Sequence, residues 1–504
     1  MADPCSLIDT YPVYIDGRWV EPDNGRYDDI CPATEAVIAS APDPSRAQVD
    51  SAIAAARTAF DSGAWADAGA EQRAAVLNQL GEALLAHADE FFGLAQLEWG
   101  CTANERVIHV DGPAFVALNA AELATHPVEE QIEAYGAAGT TLLRYEPLGV
   151  VSILTPWNFP HTLNVMKICA ALAAGNTVVL KPSPLAPLAG LALARIIHEH
   201  TDIPPGVVNV VTPTDIESSK LLTVDPRIDM VSFTGSSVVG REVMAAAGGT
   251  MKRLLLECGG KSASIVLDDV TLDDELLQRM LFESCSFHAG QACILHSRLL
   301  LPDAIHDQVV DRLVALAQAV KVGDPTDPDV QMGPLISDTQ CKRVQAHVDR
   351  ALDDGAKLVT GGGRPAGLEK GFYFEPTILT EVTPDATIAQ EEVFGPVLSV
   401  LRYSDDDDAV RIANNSQYGL SGAVWGTDVE RALAVARRVR TGQIAVNGFG
   451  PGGARFGGFN QSGFGRESGG INGIRQEMEP KAMGLPACHA QDARRRRSGR
   501  RSRA

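Results

Sequence analysis

No run of roughly 18 apolar residues occurs in this 504-residue chain, so no helix is expected to span a membrane. The nine cysteines lie far apart and include no CxxC pair. That excludes the usual zinc spacing, and it fits a reducing compartment better than a disulfide framework. The opening MADPCSLIDTYPVYIDG lacks a basic segment followed by an apolar one. No signal peptide is therefore expected, and the cytoplasm is the expected location. Basic charge is scarce too: 43 Lys and Arg stand against 64 Asp and Glu, for a net charge of −21. Nucleic acid is thereby disfavoured as a partner, because binding phosphate needs clustered Lys and Arg. The exception is the terminal ARRRRSGRRSRA, which carries Arg494 to Arg497, Arg500, Arg501 and Arg503. It reads as a solvated, disordered extension, with attachment to a polyanion or membrane surface as the alternative.

What the chain has is length, glycine and proline. At ~150 residues per domain the length suggests about three units. The 47 glycines and 29 prolines are spread along it, as many strand–helix turns require. YPVYIDGRWVEP and YDDICPATEAVIASAP read as short strands. From about Ser45 to Trp99 the pattern is helical, with Leu77, Leu80, Leu84 and Leu85 at core spacing. From Leu148 strands and helices alternate: LGVVSIL, NVMKICAALAAG, NTVVLKPS, LAGLALARIIHEH, GVVNVVT, DMVSFTG, SSVVGREVMAAAG. A second alternating stretch runs from about Lys261 to Gly442. Alternation with short loops predicts parallel, doubly wound α/β sheets, with ligands at the carboxyl ends of the strands. The acidic run Asp405 to Asp408 follows a strand and is expected to open a helix rather than hold a metal, so no metal is assigned.

Four stretches place polar residues at strand ends or in flexible turns. In TPWNFP, Asn158 stands between two prolines that fix its backbone. An amide aimed at a developing oxyanion is worth roughly 2.7–4 kcal/mol, though a plain turn asparagine fits the pattern equally. FTGSSVVG brackets a strand-to-helix turn with Gly235 and Gly240, a geometry that aims backbone N–H groups at a crevice or simply starts a helix. In LECGGKS, Glu257 ends an apolar strand, where burial would fit a carboxylate to take a proton from water. In FHAGQAC, Cys293 follows a flexible, polar Gly290-Gln291 turn. A reactive thiol needs such room, together with neighbours that stabilise its thiolate. Thiol, carboxylate and amide form a minimal set for covalent acyl chemistry.

These stretches resemble the aldehyde dehydrogenase superfamily from roughly Tyr14 to Met483. TPWNFP, LKPSPLAP, FTGSSVVG, LECGGKS, FHAGQAC, EEVFGPV and FGGFNQSGFGRESG occur in that family's order. The resemblance implies a cofactor-binding domain (1–125 and 147–259) and a catalytic domain (260–465). It also implies a small β bridging element for oligomerisation (126–146 and 466–488), with 489–504 as the basic tail. It implies oxidation of an aldehyde to a carboxylic acid by a homodimer or homotetramer using NAD, with NADP admissible. Cys293 would attack the carbonyl, Asn158 would hold the oxyanion, and Glu257 would activate water against the thioester. Trp157, Lys181, Ser183, Gly235, Ser236, Gly240, Glu392 and Phe394 would bind the cofactor. Phe159, Met166, Phe287 and Phe456 would line an apolar pocket suited to medium-chain or aromatic aldehydes.

The chain departs from the pattern in places. Pro184 stands where NAD-preferring members often carry a glutamate, so nothing there repels a 2′-phosphate. Cys258 stands where leucine is common and is read as structural. His288 is read as an ordinary loop histidine, with tuning of Cys293 or lining of the pocket as the alternative, and Arg455 is expected either to meet an acidic substrate group or to face solvent. Three other readings stay open: a coenzyme-A-acylating relative, an acyl-phosphate reductase, and a non-catalytic binding protein. Glu257 disfavours the first, and retention of Cys293, Glu257 and Asn158 together disfavours the last.

Overall fold

Buried parallel strands read as near-continuous apolar runs, and those runs form two separate sheets here. The computed structural model describes residues 11–126, 128–133, 140–448 and 450–485. In the first sheet Val150–Leu154 is flanked by Thr177–Lys181 and then Val208–Val210 on one side. Met230–Thr234 and then Arg253–Glu257 lie on its other side, all five strands being parallel. The Val13–Ile15 and Arg18–Val20 hairpin completes one edge and Gly463–Phe464 the other, both antiparallel. Helices Pro160–Ala174, Leu188–His200 and Ser237–Ala247 follow the expected segments. Gly175 closes the first of them at φ 94°, in the left-handed region that glycine adopts without strain. Strand order reverses between Val150–Leu154 and Met230–Thr234, so the loops carrying Trp157, Asn158, Gly235 and Ser236 flank one crevice.

The second sheet places Ala263–Val266 beside Arg298–Pro302, Val397–Tyr403 and Thr377–Thr380 in that order. Gly422–Trp425 and Ala445–Val446 lie on its other side, and Lys357–Thr360 is an antiparallel edge. Each sheet packs its own core. Arg298 is buried at the start of its strand, where its guanidinium donates to the carbonyls of Lys261, Ile412, Ala413 and Asn415. This pairs the Ala413 carbonyl and adds a second donor to those of Ile412 and Asn415 at the end of helix Asp406–Asn414. A third, antiparallel sheet joins Glu129–Glu133, Thr140–Pro147 and Met478–Leu485, drawn from two distant parts of the chain.

Asp405 does cap a helix, accepting from the Asp408 N–H. Asp406, Asp407 and Asp408 pair with Arg431, Arg438 and Arg411. Leu77, Leu80 and Leu84 are buried, but Leu85 is exposed, because 3.6-residue periodicity turns it off the core face. Two π-helical turns, Val107–Asp111 and Phe282–Ser286, have no counterpart in the sequence reading. The terminal arginines and residues 1–10 lie outside the described residues.

Candidate active site

The carboxyl ends of the first sheet face the amino ends of the second. Glu257 ends Arg253–Glu257, and Ala263 begins the next strand after a short Gly259-Gly260 turn. Cys293 precedes Arg298–Pro302, so the nucleophile candidate comes from the amino end of its sheet rather than the expected carboxyl end. The approach is close. A Cβ on Gly260 would stand 2.6 Å from the Cys293 carbonyl oxygen.

The turn before Cys293 is pinned rather than flexible. Gln291 is fully buried. Its backbone N–H donates to the His288 carbonyl at 3.0 Å, and its side-chain amide donates to the carbonyls of His288 at 3.1 Å and Pro334 at 3.3 Å. Its Oε1 accepts from the Ile336 N–H at 2.9 Å. Its carbonyl accepts from Asn158 Nδ2, also at 2.9 Å. Cys293 itself is partly exposed. Burial of the thiol group raises its pKa, and Glu392 and Glu257 raise it further. Carboxylates, rather than cations that would stabilise a thiolate, therefore lie beside the sulfur.

Both carboxylate oxygens of Glu257 are buried without a hydrogen-bond partner among the described residues. Burial, then Glu467, pushes its pKa well up, against the pull of Lys167 and Arg466. Lys167 pairs with Glu467 at 2.9 Å and donates to Ser232 Oγ at 3.2 Å. This buried ion pair beside Glu257 escaped the sequence reading. Its signal was a lone lysine inside the apolar helix NVMKICAALAAG.

Among the cofactor candidates, Trp157 and Phe394 meet edge to face at 5.3 Å. Glu392 Oε1 accepts from the Gly260 N–H at 2.9 Å, and burial lifts Glu392 to about 7. Gly259 leaves room for that carboxylate, since a Cβ there would lie 2.1 Å from it. Burial lowers Lys181 to about 8, and its amine donates to the Pro182 carbonyl at 3.3 Å. Ser183 Oγ accepts from the Leu185 N–H. Ser236 caps helix Ser237–Ala247. Gly235 and Gly240 do not offer their N–H groups to the crevice, because these donate to the carbonyls of Glu257 and Ser236. They are glycines for space: a Cβ would meet Phe233 at 2.5 Å or Cys258 Sγ at 2.7 Å. Cys258 is thus a buried packing residue, as expected. A largely buried ammonium, a carboxylate and a helix start around a reversal of strand order fit a dinucleotide.

The four pocket candidates do not share one cavity. Phe159 and Phe287 lie 5.9 Å apart, and Phe287 lines a cavity of about 180 Å³ with Ile108, Ile294 and His296. Met166 lines a different cavity of about 360 Å³ with Phe115, Asn119 and Leu123. Phe456 sits in a two-residue strand paired with Glu467, and neighbouring Arg455 faces solvent. His288 is buried among His109, Phe159 and Phe287. Cys101, Glu105 and His109 bring three ligand atoms within 4.8 Å of one another. His109 Nδ1 already accepts from the Trp99 indole, however, and both Glu105 oxygens accept backbone N–H groups.

Comparison with known proteins agrees with this architecture. The family model described as "Aldehyde dehydrogenase family" matches residues 19–483. The chain is 38% identical to betaine aldehyde dehydrogenase of Bacillus subtilis (strain 168) over 474 residues, covering 93% of this chain and 96% of the relative. It is 39% identical to geranial dehydrogenase of Castellaniella defragrans over 466 residues, with 92% and 96% covered. The crystal structure of Staphylococcus aureus betaine aldehyde dehydrogenase in complex with NAD+ superposes with a TM-score of 0.92, at 33% identity and 96% coverage of both chains. Fold and relatives define an oxidoreductase with two doubly wound α/β domains and a small β element. The chain belongs to the aldehyde dehydrogenase family and is an NAD(P)-dependent enzyme that oxidises aldehydes.

Proposed function

We propose that Cys293 is the nucleophile, Asn158 the oxyanion donor and Glu257 the general base in oxidising a medium-chain or aromatic aldehyde to its acid. The observation that carries this reading is the tie between Asn158 Nδ2 and the carbonyl of Gln291, two residues before Cys293. One amide N–H is spent on that bond, and the other is left to meet an oxyanion formed at the thiol. Cys293 gives its thiol proton to Glu257, which passes it to solvent, and the thiolate attacks the carbonyl carbon, with the backbone N–H of Cys293 as a second donor to the oxyanion. The bound nicotinamide cofactor supplies the hydride acceptor. The resulting Cys293 thioester is hydrolysed by water that Glu257 deprotonates. Its unpartnered oxygens and raised pKa suit a base working near neutrality, and they favour water over coenzyme A as the acceptor.

Trp157, Lys181, Ser183, Ser236, Glu392 and Phe394 hold the cofactor in this reading. NAD is the preferred form, with NADP admitted by Pro184. Phe159, Phe287 and Ile294 near the thiol favour apolar aldehydes. The units run 1–125 with 147–259, 260–465, and 126–146 with 466–488. Association into a homodimer or homotetramer is supported by exposed Val238, Val239, Met244, Met251 and Phe464, three of which line one surface depression. A cytoplasmic setting is supported by free thiols at all seven cysteines among the described residues. Among these residues no helix is long and apolar enough to cross a membrane.

Absorbance of the reduced cofactor tests the reading, with wild type and Cys293→Ser given octanal, benzaldehyde, geranial and betaine aldehyde, with NAD and NADP in turn. Turnover by wild type alone, fastest with octanal or benzaldehyde and NAD, is the expected result. Equal turnover by Cys293→Ser would sink the thiol mechanism.

A further inference from the structure

We infer that Glu105 is a positioning residue for the nucleophile. It would clamp the strained turn that presents Cys293. The inference rests on the role proposed for that thiol.

Three consecutive residues ahead of Cys293 occupy the left-handed region: His288 at φ 49°, Ala289 at φ 50° and Gly290 at φ 74°. For residues with a Cβ this conformation costs roughly 1–3 kcal/mol each, and it persists only where surrounding contacts enforce it. Position 290 admits only glycine, which takes this region without strain, since a Cβ would lie 2.0 Å from the Gly395 carbonyl oxygen. The turn's exit is held by Gln291 through the bonds already described. Its entrance is held by Glu105. One carboxylate oxygen accepts from the His288 backbone N–H at 2.5 Å, and the other accepts from the Thr102 N–H at 3.0 Å. Glu105 and His288 are both almost fully buried, and His288 Nδ1 lies 3.8 Å from the same carboxylate.

Glu105 reaches across 183 residues of sequence to make this contact. It stands in a single 3₁₀ turn, Ala103–Glu105, which leads into the π-helical turn Val107–Asp111. His109 of that turn stacks on Phe159 at 4.6 Å, next to Asn158. The same short segment thus braces the nucleophile turn through Glu105 and the residue after the oxyanion donor through His109. With one carboxylate oxygen on the His288 N–H and the other on the Thr102 N–H, Glu105 ties the two segments together, which suits a clamp on strained backbone. Without it, His288 and Ala289 would relax toward ordinary φ, and Cys293 would move relative to Asn158. A misplacement of about 1 Å costs on the order of 100-fold in rate.

The test reads the thiol directly, so it stands apart from aldehyde turnover. Alkylation of Cys293 by iodoacetamide is followed by peptide mass in wild type, Glu105→Gln, Ala289→Gly and the double variant. NAD binding, melting temperature and, for an aldehyde that turns over, kcat and KM are measured alongside. Glu105→Gln is expected to change the alkylation rate and lower kcat by about 10-fold to 100-fold, with KM and NAD affinity within about twofold. Glycine adopts the left-handed region freely, so Ala289→Gly should be near wild type alone and should restore much of the loss in the double variant. Glu105→Asp, which withdraws the carboxylate by one methylene, serves the same comparison should the amide variant fail to fold. Unchanged alkylation in Glu105→Gln would overturn the inference. So would a loss that tracks melting temperature and NAD affinity and is not rescued by Ala289→Gly. Absence of aldehyde turnover in wild type would count against the proposed function, and the alkylation comparison would still be read.

Discussion

The side-chain amide of Asn158 donates to the backbone carbonyl of Gln291 at 2.9 Å, joining two loops 133 residues apart in sequence. One loop follows a strand of the first sheet and the other precedes a strand of the second, so this bond fixes the amide relative to Cys293 before substrate arrives. Asn158→Ala should lower kcat by about 10²–10³-fold, the usual loss for one oxyanion donor, and leave cofactor binding within about twofold. Steady-state kinetics beside a cofactor titration would check this. An unchanged kcat would remove Asn158 from the chemistry.

Glu257→Gln should separate the two halves of the reaction. Hydride leaves before water is needed, so rapid mixing should show a near-stoichiometric burst of reduced cofactor. Steady turnover should then be about 10²–10⁴-fold slower than wild type. Because burial holds the Glu257 pKa high, wild-type turnover should climb with pH as the carboxylate ionises. The variant should lose that limb, and a variant with full steady turnover would show that another group activates water.

Arg298→Met should destabilise the second α/β unit by about 2 kcal/mol or more, since it would strip the donors from the buried carbonyls of Lys261 and Ala413, each worth roughly 1–3 kcal/mol when left unsatisfied. Urea unfolding monitored by tryptophan fluorescence reads this, and a midpoint equal to wild type would contradict it.

His161 stacks on Phe91 with ring centroids 4.0 Å apart, and burial holds its pKa down to about 3. The unfolded chain binds a proton there near pH 6.5, so the unfolded state takes up more protons between those values. Its contribution is therefore complete above about 6.5 and is lost as pH falls toward 3. Moving from pH 7 to pH 5 should cost wild type about 2 kcal/mol through this residue, a loss that His161→Gln escapes. Unfolding midpoints of both proteins at the two pH values give the comparison, and parallel losses would show that His161 titrates normally.

Much of the fold was legible because it rests on local rules. The apolar runs from LGVVSIL to DMVSFTG became buried parallel strands, and Gly175 and Asp405 cap helices as their residue types suggest. What stayed hidden depends on contacts between distant segments. The pinning of Gln291 needs Pro334, Ile336 and Asn158, none of which its own neighbourhood reveals. The Lys167–Glu467 pair spans 300 residues. Gly235 and Gly240 fitted an anion site and a plain helix entry equally, because spacing cannot tell an offered N–H from one already bonded within the fold.

Gly290 carries a consequence for how this chain can drift through evolution. A methyl there would strike the Gly395 backbone. Every codon change to another amino acid adds at least that carbon, so the position is closed to single mutational steps. The thiol turn and the EEVFGPV loop must therefore change together or not at all, and a library that varies one while freezing the other will sample mostly dead variants.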